Sequence, residues 1–308
     1  MLGFIVKRIL TAIPVAIGVT TMCFFLIHFV PGDPIDIMLG EQASSIEKEA
    51  LRSEMGLDLS LGQQYQRFML GLVTLDLGRS IQSQRPVVEE ILERIPATVE
   101  LTLGAMFLAI LIGIPLGIVA AVRQYSALDN SVLVGGLLGM SLPGFWLGPM
   151  LILVFAIQLD WFPVSERGGI ENLVLPALSL ALALSAIIMR MTRTSMLEVI
   201  QEDYIRTAKS KGLSAAPIYF KHALRNALMP VITILGLQFG ALLTGTVITE
   251  TIFDWPGIGT LFYQSIQERN YPLVQACILV VSLTYVFVNL FVDIIYAVVN
   301  PQVRLGHD

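Results

Sequence analysis

The chain has 308 residues, 55% of them hydrophobic and 14% charged, with a formal net charge of -5 and a mean hydropathy of +0.74. A soluble chain carries about 25% charged residues, so this deficit excludes an ordinary water-soluble domain and points to a lipid-facing surface. The acidic balance excludes a general footprint for nucleic acid, and two cysteines, Cys23 and Cys277, both inside apolar runs, cannot make a disulfide framework.

Crossing about 30 Å of hydrocarbon takes roughly 18 or more apolar residues in a helix. Stretches of that length free of Asp, Glu, Lys and Arg are Ile9–Gly32, Leu101–Val122, Asn130–Leu159, Asn172–Met189, Asn226–Thr249 and Asn270–Val292. They predict an all-α integral membrane protein with six transmembrane helices. The first follows Lys7-Arg8, a start that a secretion signal shares. It outruns the apolar core of such a signal, however, and ends at Val30-Pro31-Gly32-Asp33-Pro34 with no small-x-small cleavage site, so it reads as a span. The prolines and the glycine stop that helix and turn the chain out of the membrane.

Residues 31–97 form a long loop with helical punctuation. Ser44 with Glu47 reads as a capping box for Ile46–Met55, which Gly56 ends, Ser60 caps Leu61–Val73, and Pro86 suits the first turn of Val87–Ile95. With eleven acids against six bases the loop is a small folded helical cap, either a solvated surface or a docking face. Residues 98–300 are then the transmembrane core, with residues 1–30 as the first span and 301–308 as a tail.

Between spans four and five, residues 196–230 read as two helices. Leu197, Ile200, Tyr204 and Ala208 share one face of the first, and Gly212 stands where a left-handed cap ends it. Ser214 then begins a short second helix with Pro217 in its first turn, lying along the membrane surface until Pro230 opens span five. A basic, partly apolar projection of this kind is interfacial filler or, the better reading, a docking knob for a soluble partner. After span five, Trp255–Gln267 is too short and too broken to cross. Asp293 sits about 9 Å inside the last helix, where a charge costs roughly 2.5–3.5 kcal/mol unless paired. A structural partner such as Arg190 is favoured over a functional charge.

Orientation follows from basic residues in short loops. Segments on one side hold eleven of the nineteen Lys and Arg, and the short loops of the other hold two, Arg167 and Arg269. Both termini are therefore expected in the cytoplasm. No Gly-Lys pair occurs, so the chain has no Walker A phosphate cradle. His28, His222 and His307 lie far apart and there is no Cys-x-x-Cys or His-Glu-x-x-His, which argues against a metal site. Gly139-Met140-Ser141-Leu142-Pro143-Gly144 has its second glycine one position late for a nucleophile elbow and no preceding strand. An enzyme is not expected. The rival class is an ion-coupled secondary transporter, which usually carries ionisable residues at mid-membrane; these spans contain none.

The stretch Asp203-Tyr204-Ile205-Arg206-Thr207-Ala208-Lys209-Ser210-Lys211-Gly212, followed by His222-Ala223-Leu224-Arg225-Asn226-Ala227-Leu228-Met229-Pro230, resembles the EAA loop of ABC-importer permeases. Its form is similar to the first-subunit branch of the dipeptide/oligopeptide/nickel permease family. Pro31-Gly32-Asp33-Pro34, Asp76-Leu77-Gly78-Arg79-Ser80 and Phe253-Asp254-Trp255-Pro256-Gly257-Ile258-Gly259 agree in kind and order. The resemblance implies a type I ABC importer transmembrane domain in a bacterial cytoplasmic membrane. Two homologous permeases would form the pore, two cytoplasmic ATPases would hold ATP and Mg, and an extracytoplasmic solute-binding protein would deliver substrate. This chain would carry no cofactor. The implied substrate is a di- or oligopeptide, with glutathione or nickel as alternatives.

By position, Ala208 and Gly212 match the motif's second alanine and its glycine. Arg206 and Thr207 stand where the motif has Glu and Ala, so Arg206 does not inherit the acid's contacts. The resemblance places the coupling helix at Leu213–Phe220, with Ser214, Ala215, Pro217 and Tyr219 in it and Asp203 leading the loop. It makes Asp254, Trp255, Pro256, Gly257 and Gly259 an outer-face gate motif, for which an aromatic belt residue before a turn is the plainer reading. Gln238, Thr244 and Asn289 are pore-lining candidates that serve equally as helix–helix hydrogen bonders, as do Thr246 and Ser282.

Overall fold

The computed structural model describes residues 2–29, 34–39, 43–54 and 56–299. Pro31-Gly32-Asp33, Met55 and the tail with Arg304 lie outside the described residues. Among the described residues all regular structure is helical, apart from one isolated antiparallel bridge between Arg79 and Pro86. Five runs are long and apolar enough to cross a membrane: Ile5–Phe25, Val87–Val122, Ile170–Ile200, Ala215–Leu243 and Tyr271–Ile294.

The straight span expected over Asn130–Leu159 is a pair, α6 (Ala127–Ser141) and α7 (Gly144–Leu151) with a π-helical continuation over Ile152–Gln158, bent by 102°. Pro143 is the cause. A residue before proline is pushed out of the helical region, and Leu142 is extended at φ -77° and ψ 121°.

The loop after α1 (Leu2–Phe29) carries α2 (Pro34–Leu39), α3 (Ser45–Glu54) and α4 (Leu61–Thr74). The expected caps form. The Ser44 N–H and hydroxyl donate to Glu47 Oε2 at 3.0 and 2.8 Å, which holds the Glu47 carboxyl below the usual carboxylate range. Ser60 and Gln63 make the second box, and Gly56 turns the chain at φ +68°. The loop is a folded cap fastened to the last span: Asn270 Nδ2 donates to Ser80 Oγ at 2.7 Å, both residues being buried, and Asn270 Oδ1 accepts the Ile81 N–H at 3.3 Å.

The short helix expected to end at Ile95 and the span expected to start at Leu101 are one helix, α5 (Val87–Val122, 36 residues), with Pro96 and Pro115 inside. The boundary placed at 97/98 therefore falls within a continuous helix. At 1.5 Å per residue it is about 54 Å long, so its first turns stand clear of the hydrocarbon on the loop side.

α5 packs chiefly on α8 (Ile170–Ile200) through small residues. A Cβ on Gly113 would stand 2.7 Å from the Ser185 carbonyl oxygen, and one on Gly117 2.6 Å from that of Met189. Glycines four apart let two backbones approach, the means by which helices associate in lipid without a hydrophobic drive. α11 (Leu224–Gly245) and α14 (Tyr271–Val299) complete the bundle, with α1 laid against α14. Asp293 is paired, but with Arg8 of α1 at 3.1 Å rather than with Arg190; α1 is the element that reaches its level.

Candidate functional site

At the end of α5 remote from the 31–86 loop, α8 stops at Ile200. The chain turns at Gln201–Glu202, where Glu202 is extended at ψ 148°, and α9 (Asp203–Ser210) begins. The single helical face expected over Leu197, Ile200, Tyr204 and Ala208 is therefore broken. The turn resets the phase, so Ile205 and Ala208 are buried while Tyr204 is exposed. Asn226 Nδ2 donates to the Tyr204 hydroxyl at 2.7 Å, fastening α9 to α11.

The end of α9 is a Schellman cap. Gly212 has φ +76°, its N–H donates to the Lys209 carbonyl at 3.0 Å, and the Leu213 N–H reaches the Ala208 carbonyl at 3.4 Å. Ser214 takes the extended N-cap conformation without a side-chain cap bond. α10 (Ala215–Pro217) passes through a π-helical turn, Ile218–Ala223, directly into α11. The separate surface helix ending before Pro230 is thus corrected to one helical run from Ala215. Pro217 sits in its first turn, where no N–H is needed, and Pro230 lies inside α11.

Ile205, Ala208, Ile218, Ala223 and Ala227 are buried together with Ile118 and Ala121 of α5 and Met196 of α8. The loop stands on the ends of three long helices. Its crest is open: Lys209 to Ala216 are all exposed, as are Asp203, Arg206 and Thr207. Leu213 at 43% and Phe220 at 62% offer apolar side chains there, while Pro217 and Tyr219 are half-buried. Arg206 pairs with its neighbour Asp203 at 3.4 Å.

A second clamp crosses the same end of the bundle. Arg193 of α8 gives Nε and Nη2 to the two oxygens of Asp129 at 2.7 and 2.8 Å, and the Tyr125 N–H adds a third donor at 2.9 Å. The Asp129 side chain is 1% exposed. A two-point guanidinium–carboxylate contact of this kind fixes orientation as well as distance.

On the loop side, α12 (Val247–Ile252) and α13 (Ile258–Gln267) enclose the segment from Phe253 to Gly257. Trp255 is 0% exposed and donates its Nε1–H to the Ala97 carbonyl at 2.7 Å. The belt reading is overturned, because the indole fills the space between α5 and α8 and its one donor is satisfied inside. Asp254 is the exposed residue of the turn, at φ +49°, and Pro256 is half-buried.

Gly257 and Gly259 make room for Glu250. Side chains at either position would run into its carboxylate. Glu250 is 0% exposed; Oε1 accepts the hydroxyls of Thr98 and Thr246, each at 2.8 Å, and Oε2 accepts the Thr260 N–H at 3.0 Å. The Thr98 hydroxyl in turn accepts the Ile258 N–H at 2.8 Å. α5, α12 and α13 are clasped through one carboxylate.

Gln238 lies half-buried on α11. Asn289 of α14 gives its amide to the Tyr285 carbonyl of its own helix at 2.9 Å. Thr244 is in α11, with its side chain outside the described residues; Thr246 belongs to the clasp.

Residues 113–305 match the family described as binding-protein-dependent transport system inner membrane component, and residues 1–102 match its N-terminal counterpart. The chain belongs to this family. The permease is 42% identical to the dipeptide transport system permease protein DppB of Escherichia coli K12, over 99% of both chains. It is 42% identical to a di/tripeptide permease of Pseudomonas aeruginosa, again over 99% of each. The glutathione transport system permease protein GsiC of Escherichia coli K12 is 40% identical over 99% of both. Among solved structures, the inward-facing MetNI methionine ABC transporter shares the fold with a TM-score of 0.56 and 18% identity, covering 68% of this chain and 96% of that one. The permease is thus a multi-pass inner-membrane protein with the type I ABC importer transmembrane fold.

Glu250, Thr98, Asn270 and the Asp129–Arg193 pair were missed by sequence reasoning. Treating every acid as the edge of a span made Glu250 a boundary instead of a core residue. The signal available was the pair Gly257 and Gly259 close behind it, which marks a place where something approaches the backbone.

Proposed function

We propose that this permease is one half of the pore of an ABC importer for di- or oligopeptides, with both termini cytoplasmic. A homologous second permease completes the pore, two ATPases supply ATP hydrolysis with Mg, and an external binding protein delivers the peptide. The observation that carries this reading is the Gly212-capped crest on the buried cluster of Ile205, Ala208 and Ile218. Force applied by an ATPase at Leu213–Phe220 reaches α5, α8 and α11 through that packing, without a flexible joint, and reorients them for alternating access.

Ala208 and Gly212 act as the packing point and cap of the coupling loop, while Leu213, Ser214, Ala215 and Phe220 meet the ATPase. Asp254 to Gly259 close the loop-side end of the pore, and Gln238, Thr244 and Asn289 line it. The peptide assignment is supported by the dipeptide and di/tripeptide relatives; glutathione, a tripeptide itself, is the second reading, supported by the 40% identical relative.

The exposed pair Leu213→Asp with Phe220→Asp tests the loop, since neither residue belongs to the buried cluster. The variant is expected to insert normally and lose the ATPases in a pull-down; association at the wild-type level overturns the docking assignment. Identifying the binding protein that co-purifies, and its bound solute, decides the substrate.

A further inference from the structure

Two long helices run from the coupling crest to the loop side, and both meet there at Glu250. Ile118 and Ala121 of α5 are buried in the crest cluster. About 30 Å back along the same helix, Thr98 donates its hydroxyl to Glu250 Oε1 at 2.8 Å. Ala227 places the first turn of α11 in that cluster as well. α11 stops at Gly245, and the next residue, Thr246, gives its hydroxyl to the same oxygen at 2.8 Å. The other oxygen, Oε2, accepts the Thr260 N–H of α13 at 3.0 Å.

Both routes need a side-chain link at this point. The helical path from α11 into α12 is interrupted at Thr246, and the Thr246–Glu250 bond bridges the break. α5 is remote in sequence from α12 and α13, and its polar links to them are the Thr98 hydroxyl, which also accepts the Ile258 N–H, and the Ala97 carbonyl, which accepts the Trp255 indole. Among the described residues no cation lies within ion-pairing distance of Glu250, which is 0% exposed. If holding the helices together were its whole task, apolar side chains of like volume would serve as well. What the carboxylate adds is direction, because hydrogen bonds fix angles as well as distances.

We propose that Glu250 is a positioning residue that gears the loop-side segment from Phe253 to Gly257 to the coupling crest, a role that rests on the importer function. Displacement of the crest by an ATPase then reaches that segment through α5 and α11 together. The carboxylate accepts two hydroxyls on one oxygen and a backbone N–H on the other, which an amide cannot copy because one of its ends is a donor. With the junction broken, the crest moves, the segment lags, and ATP is hydrolysed without import.

Thr98→Val removes one hydroxyl and Thr98→Ser keeps it. Each variant, and Glu250→Gln, is assembled with the second permease, the ATPases and the binding protein in proteoliposomes. Uptake of a radiolabelled mixture of di- and tripeptides is then measured alongside ATP hydrolysis. Peptide imported per ATP is expected to fall about fivefold in Thr98→Val and Glu250→Gln, within the range by which residues between two sites modulate their coupling. Thr98→Ser should keep the wild-type ratio. A smaller amount of folded complex lowers uptake and hydrolysis alike and leaves that ratio unmoved. A wild-type ratio in Thr98→Val, or in Glu250→Gln should Thr98→Val not assemble, overturns the role, as does a Thr98→Ser ratio as low as that of Thr98→Val. A wild-type complex that imports no peptide on ATP overturns the importer function itself.

Discussion

The Glu250 carboxylate and the Thr98 hydroxyl, 152 residues apart in the chain, meet at 2.8 Å in a fully buried hydrogen bond. Thr98 donates to the acid and accepts the Ile258 N–H, so one hydroxyl joins α5 to both α12 and α13. Removing the acid strands the hydroxyls of Thr98 and Thr246 and the N–H of Thr260, each costing about 1–3 kcal/mol when left unpaired. Glu250→Ala is expected to destabilise the permease by about 2–5 kcal/mol, and Glu250→Gln, which keeps an acceptor, by less. Thermal unfolding in detergent reads this. An Ala variant that melts with the wild type would remove the clasp from the account of stability.

The same clasp makes a coupled prediction for Gly257. A methyl group there runs into the Glu250 carboxylate, so Gly257→Ala should cost about 1–3 kcal/mol by overpacking. In a Glu250→Ala background the obstacle is gone and the glycine change should be nearly neutral. The two variants in a double-mutant cycle should therefore be strongly non-additive; additive losses would show that the glycine serves the backbone and not the acid.

What the sequence made legible was whatever depends on neighbours along the chain. Span positions came from charge-free length, Ser44 and Ser60 from capping patterns, and Gly212 from its place after an amphipathic turn. The bend at Pro143 has a local cause and was passed over because the run carries no charge to mark it. Two other features failed because their partners are distant. Trp255 reads as an interfacial aromatic until Ala97 is seen beside it. Glu250 reads as a loop acid until the hydroxyls of Thr98 and Thr246 and the N–H of Thr260 surround it. The α5–α8 contact was available as Gly113-x-x-x-Gly117 on α5 and Ala177-x-x-x-Ala181-x-x-x-Ser185 on α8, small residues at the same spacing on both helices.

Arg193 and Asp129 supply a third test. The pair is two-point and nearly closed to solvent, with side-chain exposures of 17% and 1%, so removing one member leaves an uncompensated charge worth about 3–5 kcal/mol. Asp129→Ala and Arg193→Ala should each destabilise by that order, and the double variant by much less than their sum. Unfolding midpoints of the four proteins measure the coupling, and a coupling near zero would mean that solvent or a neighbouring group replaces the pair.

Gly212 is a narrower case, because its effect should be on coupling more than on folding. At φ +76° a side chain costs about 1–2 kcal/mol, and the neighbouring crest has no packing to absorb it. Gly212→Ala is expected to insert and melt close to the wild type while weakening ATPase association and peptide uptake. Gly212→Asn, which tolerates the left-handed region, should keep more of both. Equal behaviour of the two variants would show that the loop's shape at this point does not matter for docking.

Asp293 separates the importer reading from an ion-coupled transporter. It lies in the last span, and an acid there would be the natural coupling group of a carrier working alone. In the structure its carboxylate is 3.1 Å from Arg8, and both side chains are more than a third exposed, at 37% and 38%. The pair is a structural contact between α14 and α1. Asp293→Asn should therefore leave ATP-dependent uptake in reconstituted vesicles near the wild-type rate. Loss of uptake with stability intact would transfer the mechanism to ion coupling. Uptake driven by an ion gradient, with neither ATP nor the ATPases present, would do the same.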